Sequence, residues 1–269
     1  MKVEVFKNIQ LNILLSDFNE NQSPLTQFEI RDLFDFNVLT NFHISITNIG
    51  FYLMTGAILL FIINLVSTNY NKLVSNNWSI SKESLYATIH SIVTSQINPR
   101  NGQIYFPFIY TLFIFILINN LIGMIPYSFA STSHFILTFA LSFTIVLGAT
   151  ILGFQKHGLE FFSLLVPAGC PLALLPLLVL IEFISYLARN ISLGLRLAAN
   201  ILSGHMLLHI LAGFTYNIAS SGGLFLLFSL VPLLFIIAFS GLELGIALIQ
   251  AQVFVVLSCG YIKDALDLH

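Results

Sequence analysis

The stretch ISLGLRLAANILSGHMLLHILAGF, residues 191–214, carries a single full charge, the guanidinium of Arg196, in an otherwise apolar run. A guanidinium stays protonated at every accessible pH. Placing it at membrane depth costs about 2.5–3.5 kcal/mol on insertion scales. Such residues typically mark a path for ions or substrates. Arg196 is therefore the leading candidate for a functional residue.

The whole chain has the composition of a polytopic membrane protein. Of its 269 residues 57% are hydrophobic and only 8% are charged, whereas soluble domains average about 25% charged residues. A chain this apolar cannot cover a water-soluble surface. Its net charge of −2 gives no indication of a nucleic-acid partner. Cys170 and Cys259 lie in apolar context, and we expect both to be buried, inert thiols.

The first 22 residues differ from the rest of the chain. They are polar and mixed in charge, with neither the apolar core of a secretory signal nor the Arg-rich pattern of an import presequence. We expect 1–22 to be a short leader or extramembrane tail and 23–269 to form a single, all-α membrane domain. The missing targeting signal and the abundance of Phe, Ile, Leu and Asn fit a protein encoded in an organelle.

Three apolar segments, about 47–67, 105–125 and 133–154, have the length of conventional transmembrane helices. Between the first two, Leu85, Ile89, Ile92 and Val93 recur at helical spacing. This pattern predicts an amphipathic helix at the membrane interface, opening near a capping-box-like region at 81–84. A soluble connector helix fits the same pattern.

Basic side chains indicate the orientation of these segments. Lys72, Lys82 and Arg100 follow the first apolar segment, and Lys156 follows the third. No basic residue follows the second segment before the third begins. The positive-inside rule then places the N-terminus outside and the 68–102 loop inside.

Two longer apolar stretches, 171–214 and 222–262, are separated only by TYNIASSGG. As one helix, the first would be about 66 Å long, roughly twice the thickness of the hydrocarbon core. Each stretch is therefore either a pair of perpendicular spans or one tilted helix. Because Arg189, Asn190 and Arg196 offer no Gly or Pro turn chemistry, we expect two long, strongly tilted helices forming a hairpin over 171–262.

The first long helix carries a polar stripe. At 100° per residue, one narrow face of it collects seven polar side chains: Glu182, Ser185, Arg189, Ser192, Arg196, Asn200 and Ser203. His205 and His209 project to the opposite side. A polar stripe in lipid faces a protein partner or water. Alternatively, Glu182 or Glu243 forms a salt bridge with an arginine that only fixes helix packing. That alternative is open for Arg189 and weaker for Arg196, which has no acid on its own turn.

On the second long helix Glu243 and Gln250 are seven residues apart and share a face, while Gln252 lies on the other. The predicted topology places Glu182 and Asp264 towards the inner side, and Glu243 and His205 towards the outer side. Two acid clusters flanking a central arginine predict two aqueous half-paths rather than one pore. The His205-x-x-x-His209 spacing suits zinc, but no third ligand is evident, and we expect no metal or cofactor.

Two motifs, ISLGLRLAANILSGH (191–205) and LELGIALIQAQVF (242–254), resemble subunit a of F-type ATP synthases, the stator part of the membrane proton channel. SPLTQFEI (23–30), EFISYLARN (182–190) and the ending YIKDALDLH are similar to the fungal mitochondrial branch of that family. The resemblance implies a helical hairpin against a ring of rotor subunits that each carry a carboxylate. It also implies peripheral-stalk and other membrane partners.

The same resemblance implies roles for individual residues. Arg196 would face the ring, Glu243 would pair with His205, and the remaining path residues would line the two routes: Asn200, Gln250, Glu182 and Asp264. The chain would lie in the mitochondrial inner membrane, with its N-terminus in the intermembrane space and its C-terminus in the matrix. It would conduct protons as part of a complex and would not be an enzyme alone.

Two other classes of protein fit parts of the pattern. A secondary ion-coupled transporter could use Arg196 to bind an anionic substrate, but it should show inverted repeats with broken helices. Pro171, Pro176 and Pro232 are too weakly paired to be such repeats. A membrane enzyme would need a nucleophile or metal set, which the sequence lacks, and a structural scaffold would not need Arg196.

Overall fold

The computed structural model describes residues 23–39, 42–68, 76–97, 99–126, 128–166, 174–223 and 225–267. Within these ranges five helices are long and apolar enough to cross a membrane. The predicted helical membrane fold is confirmed. The expected leader or tail at 1–22 and Cys170 lie outside the described residues.

The helices follow the predicted order along the chain. Their bounds are α1 Asn48–Ser67, α2 Asn77–Gln96, α3 Pro99–Gly123, α4 Phe135–His157, α5 Leu175–Ser220, the single turn α6 Phe225–Phe228, and α7 Leu230–Leu266. The three conventional spans are α1, α3 and α4. A short 3-10 turn, Ser131–Ser133, links α3 to α4.

An antiparallel hairpin that we did not predict precedes α1. It consists of β1 (Asp32–Leu39) and β2 (Phe42–Thr47). The sequence of β2, FHISIT, alternates apolar and polar residues, which is the pattern of a strand with one buried face. Our expectation of an all-helical chain overlooked this short signal beside the much stronger hydropathy of the spans.

The amphipathic helix α2 begins four residues before the predicted capping region. The Asn76 side chain accepts a hydrogen bond of 2.9 Å from the Asn77 backbone N–H. The region 81–84 lies inside the helix, where Ser84 Oγ donates to the Ser81 carbonyl at 2.7 Å. The predicted start was therefore wrong, because an intrahelical serine hydroxyl can resemble a cap in the sequence. Ile89 and Val93 are buried in the common core, as their spacing predicts.

The two long helices α5 and α7 contact each other and form the predicted hairpin. The 46 residues of α5 are one continuous helix, about 69 Å long at 1.5 Å per residue. Such a helix stays within a hydrocarbon core about 30 Å thick only by tilting steeply. The chain reverses through Gly222 and Gly223, whose φ angles of 78° and 62° suit residues without a Cβ.

The core lies among α2, α3, α4, α5 and α7, whereas α1 is peripheral. The face of α5 that enters the core carries Leu193, Leu197, Ala198 and Ile201. On α1 only Gly56 and Ser67 are buried. The hairpin is therefore held from one side by the other helices of the chain.

Gly194 sets the closest approach of α5 to α4. A Cβ at this position would lie 2.9 Å from Ser142 Oγ and 3.2 Å from the Thr138 carbonyl oxygen. Small residues at such crossings let membrane helices pack backbone to backbone.

We expect Gly194→Ala to destabilise the fold by about 1–3 kcal/mol, because the added methyl group forces α5 away from α4. The measurement is the temperature at which the detergent-solubilised chain precipitates. Gly213→Ala is the control, since a Cβ there meets nothing within 4 Å on the same helix. Equal precipitation temperatures for the two variants would refute the close packing.

Candidate functional site

The part of the α5 polar stripe that holds Arg196 faces away from the core of the chain. Arg196, Ser192 and Ser203 are exposed, whereas Leu193 and Leu197 are 1% and 0% exposed. An open depression of about 440 Å³ surrounds Arg196, and its walls are mostly aliphatic: Ala188, Ile191, Ser192, Leu195 and Ala199. The stripe therefore offers a cation within a shallow surface that another helix can pack against.

Arg196 has no acidic partner within the described part of the chain. Its one side-chain hydrogen bond to a described residue is long, 3.5 Å to Ser192 Oγ. The salt bridges formed by described residues all involve other side chains. The alternative in which Arg196 only fixes helix packing is therefore not the observed arrangement.

Arg189 is held differently. Its guanidinium lies 3.4 Å from Glu182 Oε1 on α5 and 3.6 Å from Asp264 Oδ2 on α7. The three side chains remain 37–47% exposed. Arg189 and Asp264 line an open groove of about 400 Å³, together with Arg196 and, on the α7 side, Tyr261 and Gly260. We call Glu182, Arg189 and Asp264 the acidic groove.

A second polar group lies where α5 meets α7. His205 and Glu243 line a cavity of about 10 Å³ together with Asn200 and Met124. Glu243 is only 7% exposed. Neither its carboxylate oxygens nor His205 Nε2 has a hydrogen-bond partner among the described residues. Buried polar atoms of this kind usually bind internal water, and the cavity is close to the size of one water. We call this cavity the His–Glu pocket.

Asn200 and Gln250 connect the two long helices next to this pocket. Asn200 Nδ2 donates a hydrogen bond of 3.1 Å to Gln250 Oε1. Gln250 is 4% exposed, while Gln252 is on the exposed side of α7, as the spacing predicts. Asn200 thus lies one turn from Arg196 and also borders the His–Glu pocket.

The two polar groups are separated along α5 by Arg196. At 1.5 Å per residue, Arg196 is about 10 Å along the axis from Arg189 and about 14 Å from His205. The two side chains also line different cavities, since His205 lines the small cavity with Glu243, whereas Arg196 lines the open depression and the groove of Arg189 and Asp264. The structure thus brings the predicted site residues into two groups instead of one cluster.

Sequence reasoning missed a set of buried amides and hydroxyls near the His–Glu pocket. Asn120 on α3 is 1% exposed, and its Nδ2 donates to the Ala247 carbonyl on α7 at 3.3 Å. Asn119 Oδ1 accepts a hydrogen bond of 3.4 Å from Ser131 Oγ. The signal was the asparagine pair itself, because an amide inside an apolar span needs a partner.

Two further contacts could not be read from spacing. The ring of Phe28, in the N-terminal 3-10 turn, packs edge-on against His205 with centroids 6.4 Å apart. Gly204 lies so close to α7 that a Cβ would be 2.6 Å from Glu243 Oε1. Within the described residues no three His, Cys, Asp or Glu side chains are grouped as metal ligands, and His209 is exposed.

Known proteins resemble this chain over nearly its full length. A family model described as ATP synthase A chain matches residues 49–263. The chain is 81% identical over 264 residues to ATP synthase subunit a of Neurospora crassa, covering 98% of each. It is 84% identical over 251 residues to that of Podospora anserina, covering 93% of this chain and 95% of the relative. The Chondrus crispus protein is 46% identical over 247 residues, covering 92% and 97%.

The two arginines should differ in their effect on stability. We expect Arg189→Gln to lower the free energy of unfolding by about 0.5–1 kcal/mol, because it removes two half-exposed ion pairs that join α5 to α7. Arg196→Gln removes no ion pair and should change stability by less than about 0.5 kcal/mol. Precipitation temperatures of the solubilised variants measure this. A larger loss in Arg196→Gln than in Arg189→Gln would contradict the assignment.

Proposed function

The chain belongs to the ATP synthase A chain family, and on this premise we propose that it forms the stationary wall of two offset proton half-paths that meet a rotating ring at Arg196. The chain is a multi-pass mitochondrial membrane protein and a subunit of the proton-translocating membrane sector, not an enzyme by itself. The observation that carries the proposal is the exposed, unpaired Arg196 between two polar groups.

Protons enter through the His–Glu pocket. Glu243 and His205 supply a carboxyl and an imidazole in one small cavity, and both groups can accept and release protons. The Asn200–Gln250 hydrogen bond leads from this pocket towards Arg196. We place this entry on the intermembrane-space side, with the N-terminus, because basic side chains follow α1 and α4 and are absent between α3 and α4.

A carboxylate on the ring is the group that receives the proton. An ionised carboxylate is expensive to bring into lipid, whereas its neutral form is much less so. Protonation therefore lets that ring subunit leave the stator surface and rotate through the membrane. The shallow depression of small side chains around Arg196 supports close packing of a ring helix at this point.

Protons leave through the acidic groove. Asp264 lines an open groove, and Arg189 holds the carboxylates of Glu182 and Asp264 near one another. By the predicted topology this groove opens to the matrix, where the C-terminus also lies. A ring carboxyl that arrives here loses its proton to water in the groove.

Arg196 separates the two half-paths and acts on the ring carboxyl. An opposite charge within a few ångströms lowers the pKa of a carboxyl by roughly 1–3 units, so Arg196 stabilises the ionised ring site while it crosses between the paths. Because a guanidinium does not give up its proton, it cannot relay protons directly from one path to the other. Lysine is a poor substitute, since its ammonium deprotonates when buried.

We expect Arg196→Ala to abolish proton pumping driven by ATP hydrolysis, because the ionised ring site loses its counter-charge. Arg196→Lys should retain little activity. The assay is acidification of vesicles containing the assembled complex, reported by a pH-sensitive dye, with ATP hydrolysis recorded to establish assembly. Ser203→Ala is the control, since Ser203 is an exposed member of the same stripe. Near-normal pumping by Arg196→Ala would overturn the role of Arg196.

Gly204→Ala should slow proton conduction without unfolding the chain. The new methyl group displaces the Glu243 carboxylate from the His–Glu pocket, and overpacking of about 1–3 kcal/mol at this step corresponds to a loss of roughly fivefold or more in rate. Passive proton uptake by vesicles containing the membrane sector measures the rate.

The control for this variant is Gly213→Ala, which adds the same methyl group to the same helix where nothing lies within 4 Å. If both variants conduct protons at the wild-type rate, the His–Glu pocket is not on the entry path.

A further inference from the structure

A separate cavity of about 260 Å³ lies between α1, α2 and α3. None of its lining residues belongs to the long hairpin, and neither the acidic groove nor the His–Glu pocket shares a residue with it. Its walls are mainly aliphatic side chains of the second half of α1 and the middle of α3: Leu60, Ile63, Ile114, Leu117, Ile118 and Leu121. Nothing in the proposed proton path uses this cavity.

One end of the cavity is polar and cationic. Trp78, Ser81 and Lys82, from the first turns of α2, line it together with Asn64 near the end of α1. No described carboxylate forms a salt bridge with the Lys82 ammonium. Tryptophan and lysine are the side chains that proteins place at the headgroup level of a membrane.

The cavity therefore has the chemical asymmetry of a phospholipid. A cation, an indole N–H, a hydroxyl and an amide lie at one end, and an apolar slot continues along α3 at membrane depth. A water-soluble anion would match Lys82 but not the aliphatic walls. A zwitterionic lipid would match the walls but would leave the ammonium without a net negative partner.

The geometry points to a binding site for one anionic phospholipid, with its phosphate on Lys82 and one acyl chain in the slot between α1 and α3. The lipid would fill the gap beside α1, the helix that is least buried by the rest of the chain. Its role would be to attach α1 to the α2–α3 pair.

Photolabelling of the assembled complex tests this site. The probes are a phosphatidylglycerol and a phosphatidylcholine that carry the same acyl-chain diazirine, and the readout is labelled peptides identified by mass spectrometry. In the wild type we expect phosphatidylglycerol to label the α3 peptide containing Ile114 and Leu117 well above phosphatidylcholine. Lys82→Gln should reduce this labelling roughly fivefold, the effect of one lysine near a membrane surface, and Lys82→Arg should preserve it.

Lys156→Gln is the matched control, because Lys156 lies in the last turn of α4 and does not line the cavity. Its labelling should equal that of the wild type. Equal labelling by the two lipids, an unchanged signal in Lys82→Gln, or a helix of another subunit cross-linked in the slot would each overturn the proposal. The readout is independent of proton transport, so these outcomes do not depend on the role of Arg196.

Discussion

The structure depends on one constraint, a permanently charged guanidinium on a helix that has no described acid of its own to neutralise it. The contrast with Arg189 shows that the chain can provide such a partner, since that guanidinium has two carboxylates within 4 Å. Arg196, two turns further along α5, has only a serine hydroxyl at 3.5 Å. An uncompensated charge at membrane depth is unfavourable, and we propose that its counter-charge comes from outside the chain. In our proposal it comes from the ring, one carboxylate at a time.

In our proposal, the length of α5 and α7 serves to keep the two polar groups apart. A helix that crossed the membrane directly would have about 20 residues, too few to carry both groups and an insulating arginine with apolar turns between them. With 46 residues in one helix, Arg189, Arg196 and His205 occupy separate positions on the same rod. Buried apolar residues of α5 and α7, such as Leu197, Phe254 and Val255, exclude water from the interior between the helices.

Much of this organisation could be predicted from the sequence because hydropathy and 3.6-residue spacing act locally. Hydropathy predicts the spans and the long hairpin. The 3.6-residue spacing predicts the stripe through Arg196 and the opposite faces of Gln250 and Gln252. What failed or was missed depends on contacts between distant elements. Two contacts could be predicted only from the way the helices cross. They are the second ion pair of Arg189, with Asp264, and the hydrogen bond from Asn120 to α7. The β-hairpin before α1 was missed for another reason. Its alternating pattern is short, and it is a weaker signal than the hydropathy of the neighbouring span α1.

A structure of the assembled membrane sector, at a resolution that shows side chains, tests the central claim most directly. The measured quantity is the distance from the Arg196 guanidinium to every carboxylate around it. Our account predicts that the nearest one belongs to a ring subunit, at hydrogen-bond distance or through one water, while Glu182 and Asp264 remain on Arg189. An Arg196 paired with Glu243 or Asp264 of its own chain, or turned towards lipid, would contradict it.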